Sequence, residues 1–377
     1  MKTIKLLVRS GLLIIILILV STNSNFVDAQ TDLKIYRTYL PLVVNNPYYG
    51  FSTDNKFIGI DMQHYWTDTA VATYMPIADS LANKKHSVSG WFIDIEDGHL
   101  CAGHPDLKTN NLYRQLEGLW KNGYISFLNI NSTNTAYAIA SGQLDTCLGY
   151  MAEYYADWVG LGGGRRAFLA PLPEMNGVDS YGNPWTSYGG DPVNFKLAYQ
   201  HIQYIFAQYG VSRDQVWWVF APNGWSKSGH EFEIYYPGEN VVDVVGFSMY
   251  NYGFCQAALP WPRWENYDTL YDPYIYRIHT MASGKPIIIA QTGTTAEYSY
   301  TGEFNVNAKN TWLRANYEYL SNQPQVLGIL YYDFDQSSWE CNWRITDGNT
   351  FQPGYRAGAA FSPYKYLNWQ DMQNIIP

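Results

Sequence analysis

Short, almost uninterrupted apolar segments recur along this chain and alternate with stretches of helix length. The apolar residues are mainly Ile, Val, Phe and Leu, without the polar alternation of a half-exposed strand. Strands of a parallel sheet that is covered on both faces have this pattern. It predicts eight buried strands, at residues 57–62, 90–95, 124–130, 167–173, 216–222, 242–249, 286–290 and 327–334.

The clearest helix signal follows the fourth predicted strand. Asp191 is placed as an N-cap, and Gly210 is placed to end the helix. Between them an apolar stripe recurs at helical spacing, as expected for one buried face. The stripe consists of Phe195, Ala198, Tyr199, Ile202, Ile205, Phe206 and Tyr209.

Eight strands that alternate with helices predict an α/β fold, a single-domain (β/α)8 TIM barrel. The carboxyl ends of all eight strands then meet at one face, where active sites of this fold lie. Polar and aromatic residues at these ends form the candidate site, and we expect about half of them only to cap helices or hold loops. They are His64, Tyr65, Trp66, Asp94, Glu96, Asp97, Asn129, Asn131, Glu174, Asn176, Asn223, Trp225, Tyr250, Tyr252, Gln291, Asp333 and Asp335.

The N-terminus has the pattern of an export signal. Basic residues precede an apolar run at 11–20, and a Val-Asp-Ala sequence at 27–29 resembles a signal-peptidase site. The run is shorter than the roughly 20 residues that span a bilayer. We therefore predict a signal peptide at 1–29, a tether at 30–50, and a barrel at 51–377 that is secreted without a membrane span in the mature chain.

Charge and composition narrow the choice of partner. The formal net charge of −9 argues against nucleic acid, which requires a positive surface. Aromatic residues make up 17% of the chain, including 14 Trp and 34 Tyr, and their flat apolar faces with polar tips suit sugar rings. We expect a polysaccharide or oligosaccharide partner, no cofactor and a monomer.

Four cysteines in an exported chain can form two disulfides in three possible pairings. Positions along the predicted barrel favour Cys101 with Cys147 and Cys255 with Cys341. His99 and His104 flank Cys101, but their spacing matches no standard zinc pattern. No metal is therefore predicted.

Two predicted strands lead to residues of the same shape, but only one of these residues can carry a charge. The fourth leads to Glu174, and the seventh ends at Gln291. Enzymes that cleave sugars commonly place two carboxylates on either side of the glycosidic bond. This chain keeps one carboxylate and has a neutral amide where the second is expected.

Several fragments, in the same order and at similar spacing, resemble glycoside hydrolase family 26, whose best-known members are β-mannanases. They are Glu174-Met-Asn-Gly followed by Trp185, Trp218-Val-Phe-Ala-Pro-Asn, Tyr235-Tyr-Pro-Gly with Val242-Asp-Val-Val-Gly and Tyr250-Asn, Pro286-Ile-Ile-Ile-Ala-Gln-Thr-Gly, and Asn342-Trp-Arg-Ile. The resemblance implies that Glu174 is the acid/base and that position 291 is the nucleophile. The substrate-binding residues that we expect are Asn176, Trp185, Trp225, Tyr250, Trp339 and Trp343.

The chain also departs from the family pattern. A His and an Arg that usually accompany the acid/base are replaced by Pro173 and Ala170, and the nucleophilic Glu is replaced by Gln291. An amide is a poor nucleophile and does not offer a full charge to an oxocarbenium-like transition state. It also cannot raise the pKa of Glu174 as a carboxylate would, so Glu174 is expected to be a weaker acid unless burial compensates.

Three functions remain open on the sequence alone. The first is a hydrolase with a relocated base, drawn from Asp94, Glu96, Asp97, Asp333 and Asp335. The second is a substrate-assisted hydrolase of an N-acetylated sugar, and the third is a secreted glycan-binding protein without turnover. We favour a glycoside hydrolase-like protein that acts on β-mannan or a related β-glycan.

Overall fold

A computed structural model describes residues 54–62, 68–101, 111–255, 263–299, 303–338, 340–346 and 348–376 of the chain. The predicted signal peptide and tether lie outside these residues, so their boundaries stay predictions. His64, Tyr65, Trp66, His104 and Trp339 lie outside them as well.

Eight parallel strands form a closed barrel in chain order, and β8 pairs with β1 to close it. The predicted (β/α)8 fold is therefore confirmed. The strands are β1 (Phe57–Met62), β2 (Val88–Asp94), β3 (Ile125–Asn131), β4 (Ala167–Pro171), β5 (Val216–Phe220), β6 (Val244–Asn251), β7 (Ile287–Thr294) and β8 (Val326–Asp333).

Helices lie between most consecutive strands and pack around the barrel, and only a short 3-10 helix, Phe232–Tyr235, lies between β5 and β6 in the described residues. They are α1 (Asp68–Ala82), α2 (Gly98–Cys101), α3 (Asn111–Lys121), α4 (Ala136–Ala140), α5 (Asp145–Gly160), α6 (Pro192–Gln208), α7 (Tyr267–Met281), α8 (Val306–Ser321), α9 (Gln352–Ala359) and α10 (Trp369–Ile375).

Helix α6 is the one that the sequence signalled most clearly. The Asp191 carboxylate accepts a hydrogen bond from the Asn194 backbone N–H at 3.0 Å, as an N-cap does. Six residues of the predicted stripe are buried, and Tyr209 is exposed beyond the helix end. Gly210 follows with φ of +84°, a left-handed conformation that glycine adopts readily.

Large apolar side chains fill the part of the barrel interior that lies away from the carboxyl ends of the strands. Phe168 and Trp217 stack with ring centroids 4.7 Å apart, and Phe57 of β1 and Phe127 of β3 also pack on Phe168. Side chains nearer the mouth are polar, such as Asp61. Gly90 is needed beside Asp61, since a Cβ there would lie 2.8 Å from the Asp61 Cγ.

An irregularity in β7 changes the direction of its side chains just below the mouth. Phe247 pairs with Ile289, but the next residue, Ser248, pairs with Gln291, so Ala290 is an extra residue in the ladder. Such a bulge re-aims the side chains that follow it. Ala290 packs inside the barrel, and Gln291 also reaches the cavity at its mouth.

Both predicted disulfide pairings are present. Cys101 is bonded to Cys147, with Cα atoms 4.4 Å apart, and Cys255 is bonded to Cys341, with Cα atoms 5.6 Å apart. The second bond joins the loop after β6 to the loop after β8. It therefore fixes two loops at the face where the candidate site lies.

The described residues contain neither a membrane-spanning helix nor a cluster of metal-binding side chains. Among these residues no helix is long and apolar enough to cross a membrane. Within the same ranges, no three or more His, Cys, Asp or Glu side chains come together as a possible metal site.

Candidate active site

Glu174 is held in an unusual backbone conformation directly after β4. Leu172 has φ of +54° and Glu174 has φ of +57°, a left-handed region that costs non-glycine residues about 1–3 kcal/mol each. The Glu174 backbone N–H donates to the Ala221 carbonyl at 2.8 Å, which ties this turn to the end of β5. The left-handed turn ends β4 at Pro171, two residues earlier than predicted.

The Glu174 carboxylate receives two hydrogen bonds, one from β6 and one from the segment after β5. Ser248 Oγ and Asn223 Nδ2 both donate to its Oε1, the latter at 3.3 Å. Burial raises the pKa of Glu174, and these hydrogen bonds only partly oppose that rise. Burial thus shifts the pKa of Glu174 in the same direction as a neighbouring carboxylate would, and it favours the protonated form.

Gln291 is buried at the same mouth, with 6% of its surface exposed. Its Oε1 accepts a hydrogen bond from the Tyr250 hydroxyl at 2.8 Å. This bond fixes the orientation of the amide and leaves its Nε2 as the donor end. Tyr250, predicted to bind substrate, thus holds the Gln291 side chain in place.

Glu174 and Gln291 line one cavity of about 330 Å³ at the barrel mouth. Its walls also include Phe92, Asp94, Asn131 and Trp185. The site thus combines one carboxylate of raised pKa, an oriented amide and aromatic walls. This arrangement can bind a sugar and protonate a glycosidic oxygen.

Two tryptophans form an exposed aromatic surface beside the cavity. Trp185 is 50% exposed and Trp225 is 43% exposed, and their rings are 6.4 Å apart and nearly parallel at 16°. The Trp185 ring lies over Gly177, where a Cβ would come within 2.1 Å of it. These flat, exposed faces are suited to stacking against sugar rings.

Replacing either exposed tryptophan by Ala is expected to weaken β-glycan oligosaccharide binding by about 3–10-fold, because an aromatic contact contributes about 0.5–1.5 kcal/mol. The measurement is isothermal titration calorimetry of Trp185→Ala and Trp225→Ala. Tyr276→Ala, which removes a 73% exposed ring on α7, is the control and should bind like the wild type. Wild-type affinity in both tryptophan variants would place the glycan surface elsewhere.

Two other predicted binding residues are buried behind the cavity rather than in its wall. Asn176 is 0% exposed, and its Nδ2 donates to the Asn223 and Trp225 carbonyls at 2.9 and 3.3 Å. Trp343 is also 0% exposed and packs on Tyr250 with ring centroids 4.9 Å apart. Both position residues of the site, and neither presents a surface to a sugar.

Most of the other candidate carboxylates hold loops at the barrel mouth. Glu96 accepts from the Asn134 side chain at 2.7 Å and from Ser132, and Asp335 accepts from the Ser337 N–H at 3.0 Å. Asp333 accepts from the Ile345 N–H at 2.5 Å and from the Thr346 hydroxyl. At Asp97 it is the backbone that makes a contact: its carbonyl accepts a hydrogen bond from the Leu100 N–H at 2.8 Å. Asp94 alone of these five lines the cavity.

The structure adds residues that sequence reasoning missed. Ser248 donates to Glu174, and Tyr188 donates to the Pro173 carbonyl at 2.8 Å beneath the cavity. Glu340, next to Cys341, accepts from the Tyr252 hydroxyl at 3.0 Å. Ser248 is a polar residue inside an apolar strand, and this was a weak sequence signal for a role in the site. For Glu340 the corresponding signal was its position next to a disulfide cysteine.

The two departures from the family pattern lie close to Glu174. Ala170 is buried inside the barrel, and Pro173 lines the cavity. Neither side chain can donate a hydrogen bond or carry a charge. Glu174 therefore depends on Ser248 and Asn223 for its polar contacts.

Comparisons with known proteins show the fold. No family model matches this chain. Endoglucanase H of Acetivibrio thermocellus is 28% identical over 229 residues, which are 58% of this chain. The chain spans about a fifth of that curated relative, 22% of its length.

Solved structures that resemble the chain include several mannanases. The catalytic domain of the GH26 endo-β-1,4-mannanase of Bacillus sp. JAMB-750 has a TM-score of 0.59 at 16% identity, covering 85% of this chain and 89% of that one. The GH26 β-mannanase of Bacteroides ovatus has a TM-score of 0.58 at 14% identity, covering 84% and 91%. A β-mannanase from a symbiotic protist of the termite Reticulitermes speratus, complexed with gluco-manno-oligosaccharide, has a TM-score of 0.53 at 13% identity, covering 85% and 90%. The chain thus has the barrel fold of glycoside hydrolase family 26 structures.

Proposed function

We propose that this chain is a secreted glycoside hydrolase-like protein whose cleft takes β-mannan or a related β-glycan. Glu174 is the general acid/base, and Gln291 occupies the nucleophile position. The observation that carries this proposal is the strained, partly buried Glu174 in one cavity with the oriented amide of Gln291. The solved mannanases of the same fold support the choice of β-mannan.

The electrostatics of the cavity favour proton donation to a glycosidic oxygen. Burial raises the pKa of Glu174, so the protonated form persists to higher pH than in an exposed Glu. No metal or cofactor is required for this step. The neutral Gln291 disfavours the covalent glycosyl-enzyme route, because an amide does not form that intermediate readily.

Two disulfides in one barrel support the secreted part of the proposal, because such bonds persist in oxidising compartments. The negative net charge supports a neutral glycan over nucleic acid. We also propose that the protein acts as a monomer.

The test combines a glycan-binding array with a hydrolysis screen on the same purified barrel. We expect binding to β-mannan or another β-linked glycan, together with slow release of reducing ends from the glycan that binds best. Glu318→Gln is the matched control, since this exposed carboxylate pairs with Arg314 on α8. The absence of β-glycan binding from the whole array would refute the proposal.

Two alternatives predict different results in the same screen. A substrate-assisted hydrolase would cleave only N-acetylated sugars, with Gln291 orienting the acetamido group, as its Tyr250-held amide allows. A binding protein without turnover would retain glycan binding and release no reducing ends. Its cavity and tryptophan surface would then account for the whole function.

A further inference from the structure

A second carboxylate lies on the Gln291 side of the candidate site. Glu340 is partly buried in the loop after β8 and accepts a hydrogen bond from the Tyr252 hydroxyl at 3.0 Å. The Trp343 indole N–H, which donates to Gln336 at 3.2 Å, also lies beside this carboxylate. The Glu340 side chain is therefore held in a defined position.

A continuous set of aromatic contacts joins Glu340 to Gln291. The Tyr252 ring lies 5.1 Å from that of Trp343, and the Trp343 ring lies 4.9 Å from that of Tyr250. Tyr250 in turn donates to Gln291 at 2.8 Å. The Glu340 carboxylate is thus linked through Tyr252, Trp343 and Tyr250 to Gln291 of β7, while Glu174 follows β4.

The disulfide between Cys255 and Cys341 fixes this loop. Cys341 follows Glu340 directly, and its partner Cys255 lies three residues after Tyr252. The same covalent link therefore holds the carboxylate and the hydroxyl that donates to it. A loop residue tied in this way can keep the fixed geometry that catalysis requires.

The two carboxylates also interact electrostatically. Burial raises the pKa of Glu340, and the hydrogen bonds from Tyr252 and Trp343 oppose this rise. An ionised Glu174 raises the pKa further, so the pair favours the state in which one of the two carboxyls carries a proton. A carboxylate of raised pKa is a stronger base. In inverting glycosidases the two carboxyl groups lie about 6.5–9.5 Å apart, which leaves room for a water molecule.

We propose that Glu340 is the general base of an inverting hydrolysis in which Glu174 is the general acid. This inference rests on the proposed function. Glu340 takes a proton from water while the water oxygen bonds to the anomeric carbon. The glycosidic C–O bond breaks, and its electron pair stays on the leaving oxygen, which takes the proton of Glu174. Proton exchange with solvent then restores Glu340 as carboxylate and Glu174 as acid.

The assignment gives Gln291 a role as well. Its Oε1 is held by Tyr250, so its Nε2 can donate to the attacking water or to a sugar hydroxyl. A neutral amide at this position binds without competing for the anomeric carbon. Water rather than the protein then forms the new bond.

The test is the anomeric configuration of the fresh product, read by proton NMR before mutarotation, on a β-1,4-linked manno-oligosaccharide. The wild-type chain should release the α-anomer. Glu340→Gln should lower kcat about 100-fold or more with KM nearly unchanged. In the wild-type chain the rate should fall at low pH because the base becomes protonated, and the residual activity of Glu340→Gln should not show this fall. Glu318→Gln, which removes an exposed carboxylate paired with Arg314 on α8, is the matched control and should stay within about twofold of wild type.

Four outcomes would overturn the inference. A β-anomer from the wild-type chain would exclude inversion, and a Glu340→Gln variant with wild-type kcat would exclude this base. Loss of hydrolysis in Asp94→Asn but not in Glu340→Gln would assign the base to Asp94, which lines the cavity. Oligosaccharide binding without hydrolysis would refute the inference and leave the proposed cleft intact. Retained oligosaccharide binding in Glu340→Gln shows that the variant is folded.

Discussion

Replacing Gln291 by Glu is expected to give this barrel a retaining glycosidase activity at least about 100-fold above any that the wild-type chain shows. The change is nearly isosteric and keeps an oxygen to accept the hydrogen bond of Tyr250. It supplies both a nucleophile and a charge that raises the pKa of Glu174. A hundredfold gain corresponds to about 3 kcal/mol of barrier.

The measurement is release of reducing ends from β-mannan, with the product configuration read by proton NMR. Retention requires carboxyl groups only about 5–5.5 Å apart, and we expect Glu174 and residue 291 to meet this condition. The alkaline limb of the pH profile should also move to higher pH, because the new carboxylate opposes ionisation of Glu174.

The double variant Gln291→Glu with Glu174→Gln is the control and should lose the gain. Ala170 and Pro173 limit the gain in hydrolysis rate, since neither can replace the polar side chains of the family pattern. A Gln291→Glu protein that binds β-mannan but hydrolyses it no faster than the wild-type chain would refute the hypothesis that residue 291 occupies the position of the nucleophile.

Replacing Glu174 by Gln is expected to lower kcat by about 10²–10⁴-fold, the usual contribution of a general acid. The same change should stabilise the fold at neutral pH. Burial raises the pKa of Glu174 above its ordinary value of 4.5, so the folded state binds the proton more tightly than the unfolded state does. Ionised Glu174 therefore costs stability above the unfolded-state pKa, and Gln removes that cost.

Thermal unfolding at two pH values tests the sign of this effect. The Tm gain of Glu174→Gln should be largest near pH 7–8 and should shrink toward about pH 4, where the unfolded carboxyl is also protonated. Equal Tm changes at both pH values, or an unchanged kcat, would contradict the role given to Glu174.

Glu96→Gln is the matched control and should behave in the opposite way. Although burial raises its pKa, the hydrogen bonds from Ser132 and Asn134 outweigh burial and lower it. Its charged form therefore stabilises the fold above the unfolded pKa, and this stabilisation is lost as the pH falls. Glu96→Gln should lose stability near pH 7 and show little change at low pH.

Much of the architecture was predictable because its signals are local or follow from chain order. Apolar segments of five to eight residues, separated by helix-length stretches, specify buried parallel strands in sequence. Once the barrel is assumed, chain order places Cys101 near Cys147, and Cys255 and Cys341 at the same face, as the structure has them. It also leads Glu174 and Gln291 to one mouth.

The conformation of the site depended on contacts that no local pattern encodes. The left-handed turn at Leu172 and Glu174 is held by β5, and the bulge at Ala290 results from pairing with β6. A strand-end rule could not separate the exposed Trp225 from the buried Asn176, because burial depends on the loops packed above each residue.

The sequence by itself determined the barrel, its strand order and the single carboxylate paired with an amide. These follow from hydrophobic periodicity and chain order. Only the tertiary structure decided that burial raises the pKa of Glu174 and that Glu340 accepts a hydrogen bond from Tyr252. A pKa and the position of a loop carboxylate depend on groups far apart in sequence, since solvation and charge act through space and not along the chain.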